Sequence, residues 1–143
     1  MVGRFPVLYI AEADAEDAVM SSGVLAYLAD SLPNATFTQA YGMTELAPVA
    51  TLLSAEDHDL PGLGRSCGRP ASHAEVRIVG PDDLPLPPGE VGEIVSRGDH
   101  MMQGYWNKPQ ETAAALRGGW MHTGDAGYMN EDGYFFVVDR IRT

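Results

Sequence analysis

The chain has 143 residues, enough for one domain with a real core and too few for a large multidomain enzyme. Hydrophobic residues make up 45% and charged residues 20%, an ordinary globular balance. Twenty acidic residues against nine basic ones leave a net charge of -11, which repels polyphosphate backbones and argues against general nucleic-acid binding, although backbone donors can still hold a small anion.

The single cysteine, Cys67, excludes an internal disulfide framework and fits a reducing compartment. No apolar run approaches membrane-spanning length, so no transmembrane segment is expected. The opening "MVGRFPVLYIAEADAED" turns acidic at once, unlike a secretory signal, and a cytoplasmic protein is the expectation.

In chain order, "FPVLYI" (residues 5–10) reads as a short strand. "SSGVLAYLADSLPNA" then reads as a helix, with Val24, Leu25, Leu28 and Leu32 at helical spacing and Pro33-Asn34 as its stop. "TFTQAY" alternates as a strand and leads into Tyr41-Gly42-Met43-Thr44-Glu45. From residue 73 the pattern is β-rich: "HAEVRIVG" alternates, a proline-rich loop follows, and "VGEIVSRG" is a further strand. "NKPQETAAALRGG" fits a short helix capped by Asn107 or Lys108, with Pro109 in its first turn and Gly118-Gly119 at its end. Two final strands flank "NEDG" (residues 130–133), a hairpin loop, with "YFFVVDRI" returning. These elements give an α/β edge joined to a mostly antiparallel β unit.

Three stretches carry candidate chemistry. In "YGMTE" the glycine suits a turn and Thr44 a helix cap; the same residues could grip a nucleotide. In "HTGDAG", Asp125 sits on a glycine-flanked bend, as either a turn cap or an acceptor for a ribose diol. In "VVDRIRT", Arg140 lies one hairpin after Asp125, so both could face one ligand, or Arg140 could form a surface pair with Asp139. Other features read as scaffold. "SAEDHD" lacks spaced ligand pairs around His58, and "GLGRSCG" lacks the P-loop lysine. His73, His100 and His122 show no obvious partner, and Cys67 has no nearby base and reads as inert.

Taken together and in order, "QAYGMTE", "GRPASHAEVRIV", "GEIVSRGDHMMQGYWNKPQET" and "GWMHTGDAGYMNEDGYFFVVDR" resemble successive core motifs of the AMP-forming adenylating enzymes, over roughly residues 35–143. Met43 and "HTGD" are more similar to acyl-CoA synthetases, fatty-acid–CoA ligases among them, than to peptide-synthetase domains. The resemblance implies part of a large N-terminal domain. Residues 1–52 would end an α/β nucleotide-binding subdomain, and residues 53–143 a β-rich subdomain reaching the hinge to a C-terminal domain.

It also implies an acid–thiol ligase. A carboxylate, a fatty acid in the first instance, attacks the α-phosphate of ATP, and CoA then displaces AMP from the acyl-adenylate. By the same resemblance Tyr41 would stack on adenine and Gly42 would let the backbone approach the ligand, beside Met43. Thr44 would meet a phosphate and Glu45 would ligate Mg²⁺, so that both serve catalysis. Asp125 and Arg140 would hold the ribose. Ala40 would narrow an acyl tunnel, while "GEIVSRG" and "GYWNKP" would be scaffold.

Nothing in the sequence matches the family's upstream phosphate loop; "MSSGVLAY" lacks its second glycine and lysine. Nothing in these residues matches the family's downstream domain with its lysine either, so on this resemblance the isolated chain is expected to be inactive as a ligase. Its exposed edges would favour an oligomer or a complementing polypeptide. The alternative is a non-catalytic AMP/ATP-binding module, or a remnant, that needs a partner.

Overall fold

Two four-stranded sheets make up the computed structural model, which describes residues 5–12, 26–27 and 30–141. The first sheet has the order β1 (Phe5–Glu12), β2 (Ala35–Gly42), β3 (Val49–Leu53), β4 (Arg69–Pro70). β1 runs parallel to β2, with Phe5 opposite Ala35 and Glu12 opposite Gly42. A parallel pair needs a crossover, and helical residues Ala26, Tyr27, Asp30 and Ser31 lie within it. Of the apolar positions expected on that helix, Val24, Leu25 and Leu28 lie outside the described residues.

β3 folds back antiparallel on β2, and β4 continues the sheet. Antiparallel pairing thus begins before the β-rich stretch, and the first sheet extends past residue 52 to Pro70. β3 was not expected from the sequence. Its burial does not alternate, since Ala50, Thr51 and Leu53 are all buried while Leu52 is 39% exposed.

The second sheet follows chain order and is antiparallel throughout: β5 (Glu75–Val79), β6 (Gly92–Arg97), β7 (Met121–Met129), β8 (Phe135–Arg140). Between β6 and β7 lies the expected helix, α1 (Pro109–Ala115). Pro109 stands at its start, where a missing N–H costs nothing. Lys108 occupies the capping position without a side-chain cap bond. Gly118 (φ 69°) closes the turn beyond the helix. "NEDG" is a hairpin loop, with the Asn130 side-chain oxygen accepting from the Asp132 and Tyr134 amides.

The sheets meet through the segment before β4. Phe135 exchanges backbone bonds with Cys67 and Gly68 (2.9 Å each), and its carbonyl also accepts from the Ser66 hydroxyl at 2.8 Å. One core therefore spans both: Tyr41, Leu46, Ala50 and Cys67 pack with Ile78, Ile94, Met121 and Phe135. Ile94, Val95 and Ser96 are buried in succession, as befits a central strand covered on both faces. No helix among the described residues is long and apolar enough to cross a membrane.

Candidate functional site

The end of β2 is shaped by its own turn. An added Cβ at Gly42 would lie 1.6 Å from the Pro48 carbonyl oxygen. That oxygen accepts from the Met43 amide at 2.8 Å. The close approach that requires glycine here is therefore made by the chain itself. A tight 3₁₀ turn, Thr44–Leu46, follows and closes on Ala47 (φ 52°) before β3 begins. Met43, not Thr44, stands at the capping position, and no side chain caps the turn. Leu46 and Met43 anchor it in the core, leaving Thr44 exposed and Glu45 half-buried. The Glu45 carbonyl accepts from the Met102 amide at 2.8 Å, and the Tyr105 hydroxyl meets its carboxylate at 3.4 Å.

Asp125 sits on a bulge. Glu93 and Val95 of β6 pair with Ala126 and His122 of β7, so β7 carries extra residues opposite one step of its neighbour. Thr123, Gly124 and Asp125 of "HTGD" hold that bulge. The Thr123 hydroxyl donates to the Ile94 carbonyl at 2.6 Å and accepts from the Asp125 amide at 3.1 Å. Gly124 takes a positive φ of 75° and gives its N–H to Glu93 Oε2 at 3.0 Å. On the other side Asp125 stands opposite Arg140 of β8.

Here the two segments meet. The Tyr41 hydroxyl donates to Asp125 Oδ2 at 2.5 Å, although the residues are 84 positions apart. Arg140 Nη1 reaches Asp125 Oδ1 at 3.5 Å. The Asp125 side chain is 3% exposed and that of Arg140 41%, so a buried carboxylate has its cation at the surface. Burial, then the negative charge of Asp125 and the bond to it, push the Tyr41 hydroxyl well above its ordinary range. Tyr41 thus stays a donor at any physiological pH. Its ring is 1% exposed and packs in the core, so the face needed for an adenine stack is covered in this structure. Ala40 is likewise fully buried.

The structure therefore bonds Tyr41, Asp125 and Arg140 directly and places Thr44 and Glu45 on the turn that follows Tyr41. It also shows partners that sequence reading missed. Glu93 Oε1 accepts from His122 Nδ1 at 2.8 Å and from Arg117 Nη2 at 3.3 Å. Arg117 also forks onto Asp83 at 2.9 and 3.3 Å. His122, expected to stand alone, is thus tied to a carboxylate across the strand pair. His73 and His100 likewise meet, with ring centroids 4.6 Å apart. Among the described residues, Asp83, Glu93 and His122 are the group whose donor atoms lie close enough for a metal. Arg117 already bonds both carboxylates and supplies the positive charge, so this group is an ion-pair network.

Cys67 is fully buried, and desolvation pushes its thiol up to about 12. The thiolate is the reactive form. The folded chain should therefore resist iodoacetamide at pH 8 and become alkylated only after denaturation. Rapid native labelling, read by mass spectrometry, would contradict this burial.

The model of the AMP-binding enzyme family matches residues 16–106, a span that contains Tyr41 to Glu45. The chain belongs to that family. Feruloyl-CoA synthase from Amycolatopsis sp is 48% identical over 106 residues, covering 74% of this chain and 21% of that protein. A medium/long-chain-fatty-acid–CoA ligase of Mycobacterium tuberculosis is 42% identical over 106 residues, covering 74% of this chain and 18% of that protein. O-succinylbenzoate coenzyme A synthetase from Bacillus subtilis, solved in complex with AMP, shares 30% identity at a TM-score of 0.73, over 86% of this chain and 24% of that one. The chain thus spans about a fifth of the length of these two curated relatives. Its fold is that of part of the N-terminal domain of adenylating enzymes.

Proposed function

We propose that these residues form one wall of the active site of an AMP-forming acid–CoA ligase. The observation that carries the proposal is the buried Asp125, oriented by Tyr41 and Arg140 in a member of the AMP-binding enzyme family. In this reading Asp125 accepts from the ribose hydroxyls while Arg140 holds the same sugar from the surface side. Tyr41 serves by keeping the carboxylate in place, with an adenine stack requiring its ring to be uncovered. Gly42 and Met43 hold the turn that presents Thr44 to a phosphate and Glu45 to Mg²⁺. The donor chemistry fits that ion: Glu45 offers a hard oxygen that meets Tyr105 only at 3.4 Å, and Mg²⁺ is commonly held by one or two carboxylates plus phosphate oxygens. When bound, Mg²⁺ would offset phosphate charge. Residues 1–52 would close a nucleotide-binding subdomain and residues 53–143 lead to a hinge.

The reaction is the two-step one: carboxylate and ATP give acyl-adenylate and pyrophosphate, and CoA thiol displaces AMP. The acid is a fatty acid in the first instance; similarity to a feruloyl-CoA synthase makes an aryl acid the comparison. Catalysis by positioning needs groups on every side of the substrate. The 143-residue polypeptide should therefore bind AMP saturably, in preference to 2′,3′-dideoxy-AMP, yet show no ATP–pyrophosphate exchange above an Asp125→Ala control. Calorimetric titration and an exchange assay with octanoate and ferulate test both halves. Absence of saturable AMP binding would overturn the site assignment, and exchange by the chain alone would overturn the need for further groups.

A further inference from the structure

Glu93 belongs to the stretch "GEIVSRG", which the family resemblance leaves as scaffold. Its side chain is 15% exposed and divides its two oxygens between two tasks. Oε2 accepts from the Gly124 amide at 3.0 Å, the N–H of the Thr123–Gly124 peptide, one peptide group before the amide of Asp125 itself. Oε1 accepts from His122 Nδ1 at 2.8 Å and Arg117 Nη2 at 3.3 Å. Arg117 follows α1, and its carbonyl lies 3.3 Å from His122 Nε2. The carboxylate is therefore held by groups from the α1 end and from β7, and it holds the one backbone amide in the bend whose residue has φ 75°.

The plane after Gly124 is held from the end of β8, since the Gly124 carbonyl accepts from the Ile141 amide at 2.7 Å. The Thr123–Gly124 plane before it has stepped out of the β6–β7 ladder and has its N–H on Glu93. Rotation of that plane would swing Asp125 away from Tyr41 and Arg140. A charge-assisted bond to an amide is among the stronger ways of preventing this. We propose that Glu93 is a positioning residue for Asp125, acting through the Gly124 amide, with His122 and Arg117 fixing the orientation of its carboxylate. The functional consequence rests on the ribose-binding role proposed for Asp125; the hold on Gly124 does not.

The test uses the 143-residue chain and two readouts. Amide hydrogen exchange at Gly124, followed by NMR without nucleotide, should accelerate roughly tenfold or more in Glu93→Ala, while Val95 in the neighbouring ladder keeps its protection. The preference for AMP over 2′,3′-dideoxy-AMP should fall by roughly tenfold. Glu93→Asp keeps the charge but withdraws it by one methylene, so it should behave like the alanine variant, and it stands in should that variant fail to fold. Glu93→Gln can still turn its oxygen to Gly124, but it has no charge and sets its NH2 against the Arg117 donor, so it should fall between the parent and Glu93→Ala in both properties. Unchanged Gly124 exchange in Glu93→Asp would overturn the inference. So would faster exchange with an undiminished ribose preference. A parent chain with no ribose preference, but with Gly124 exchange that responds to Glu93, would overturn the ribose reading and support the hold on the bend.

Discussion

Asp125→Asn should weaken AMP binding by about 10- to 100-fold while leaving the chain folded. Asparagine has the same shape but one accepting oxygen where the carboxylate has two, and no charge. Hydrogen bonds to charged groups are worth about 1.5–3 kcal/mol each, and each 1.4 kcal/mol is tenfold in affinity. Losing one such bond to the ribose gives the range stated. Asp125→Ala goes further because it removes the acceptor of the Tyr41 hydroxyl, which is buried in the core and bonded there at 2.5 Å. A buried donor without a partner costs about 1–3 kcal/mol, so this variant should lose stability as well as affinity.

Tyr41→Phe separates the two effects. It removes the donor and keeps the carboxylate, with Arg140 still opposite. Stability should fall by about 1 kcal/mol, the usual net worth of such a bond, and AMP affinity should fall less than in Asp125→Asn. Calorimetry with AMP and urea titration of each variant measure the pair. Wild-type affinity in Asp125→Asn would remove Asp125 from the binding site.

The asparagine experiment concerns a contact that was only half legible in the sequence. The opposition of Asp125 and Arg140 could be foreseen, because "NEDG" marks a hairpin and a hairpin fixes register locally. The bond from Tyr41 could not, since it spans 84 positions and links two different sheets. No periodicity carries that information; it depends on how Cys67 and Gly68 stitch onto Phe135. Glu93 and His122 were hidden for a related reason: α1 separates their strands, and the bulge in β7 shifts the pairing by which His122 meets Val95. Strands with alternating patterns, such as β5, were read directly, while β3, buried at Ala50, Thr51 and Leu53, gave no period to read. After Tyr41 the sequence reads as a helix start capped by Thr44, because a helix start and a 3₁₀ turn use the same residues. The structure shows the turn, which returns at once to β3.

Gly42→Ala should be the most damaging single-methyl change in that turn. A new Cβ would lie 1.6 Å from the Pro48 oxygen and 2.7 Å from its carbonyl carbon, both backbone atoms that no rotamer change can move aside. Relief requires separating β2 from β3 at Gly42 and Val49 and breaking the Met43–Pro48 bond. Overpacking of this kind, with loss of a buried backbone bond, should cost about 3–5 kcal/mol. Domains of this size are stable by about 5–15 kcal/mol, so the variant should lie at or near the threshold of folding. Gly64→Ala is the matched control, since a Cβ there meets nothing within 4 Å. It should stay within about 0.5 kcal/mol of the parent, as surface changes usually do. Urea midpoints at constant slope decide the matter. If Gly42→Ala and Gly64→Ala unfold at the same urea concentration, the close approach of Pro48 is not what demands glycine. If only Gly42→Ala falls, the turn that presents Thr44 and Glu45 and the strand that delivers Tyr41 to Asp125 depend on one missing methyl group.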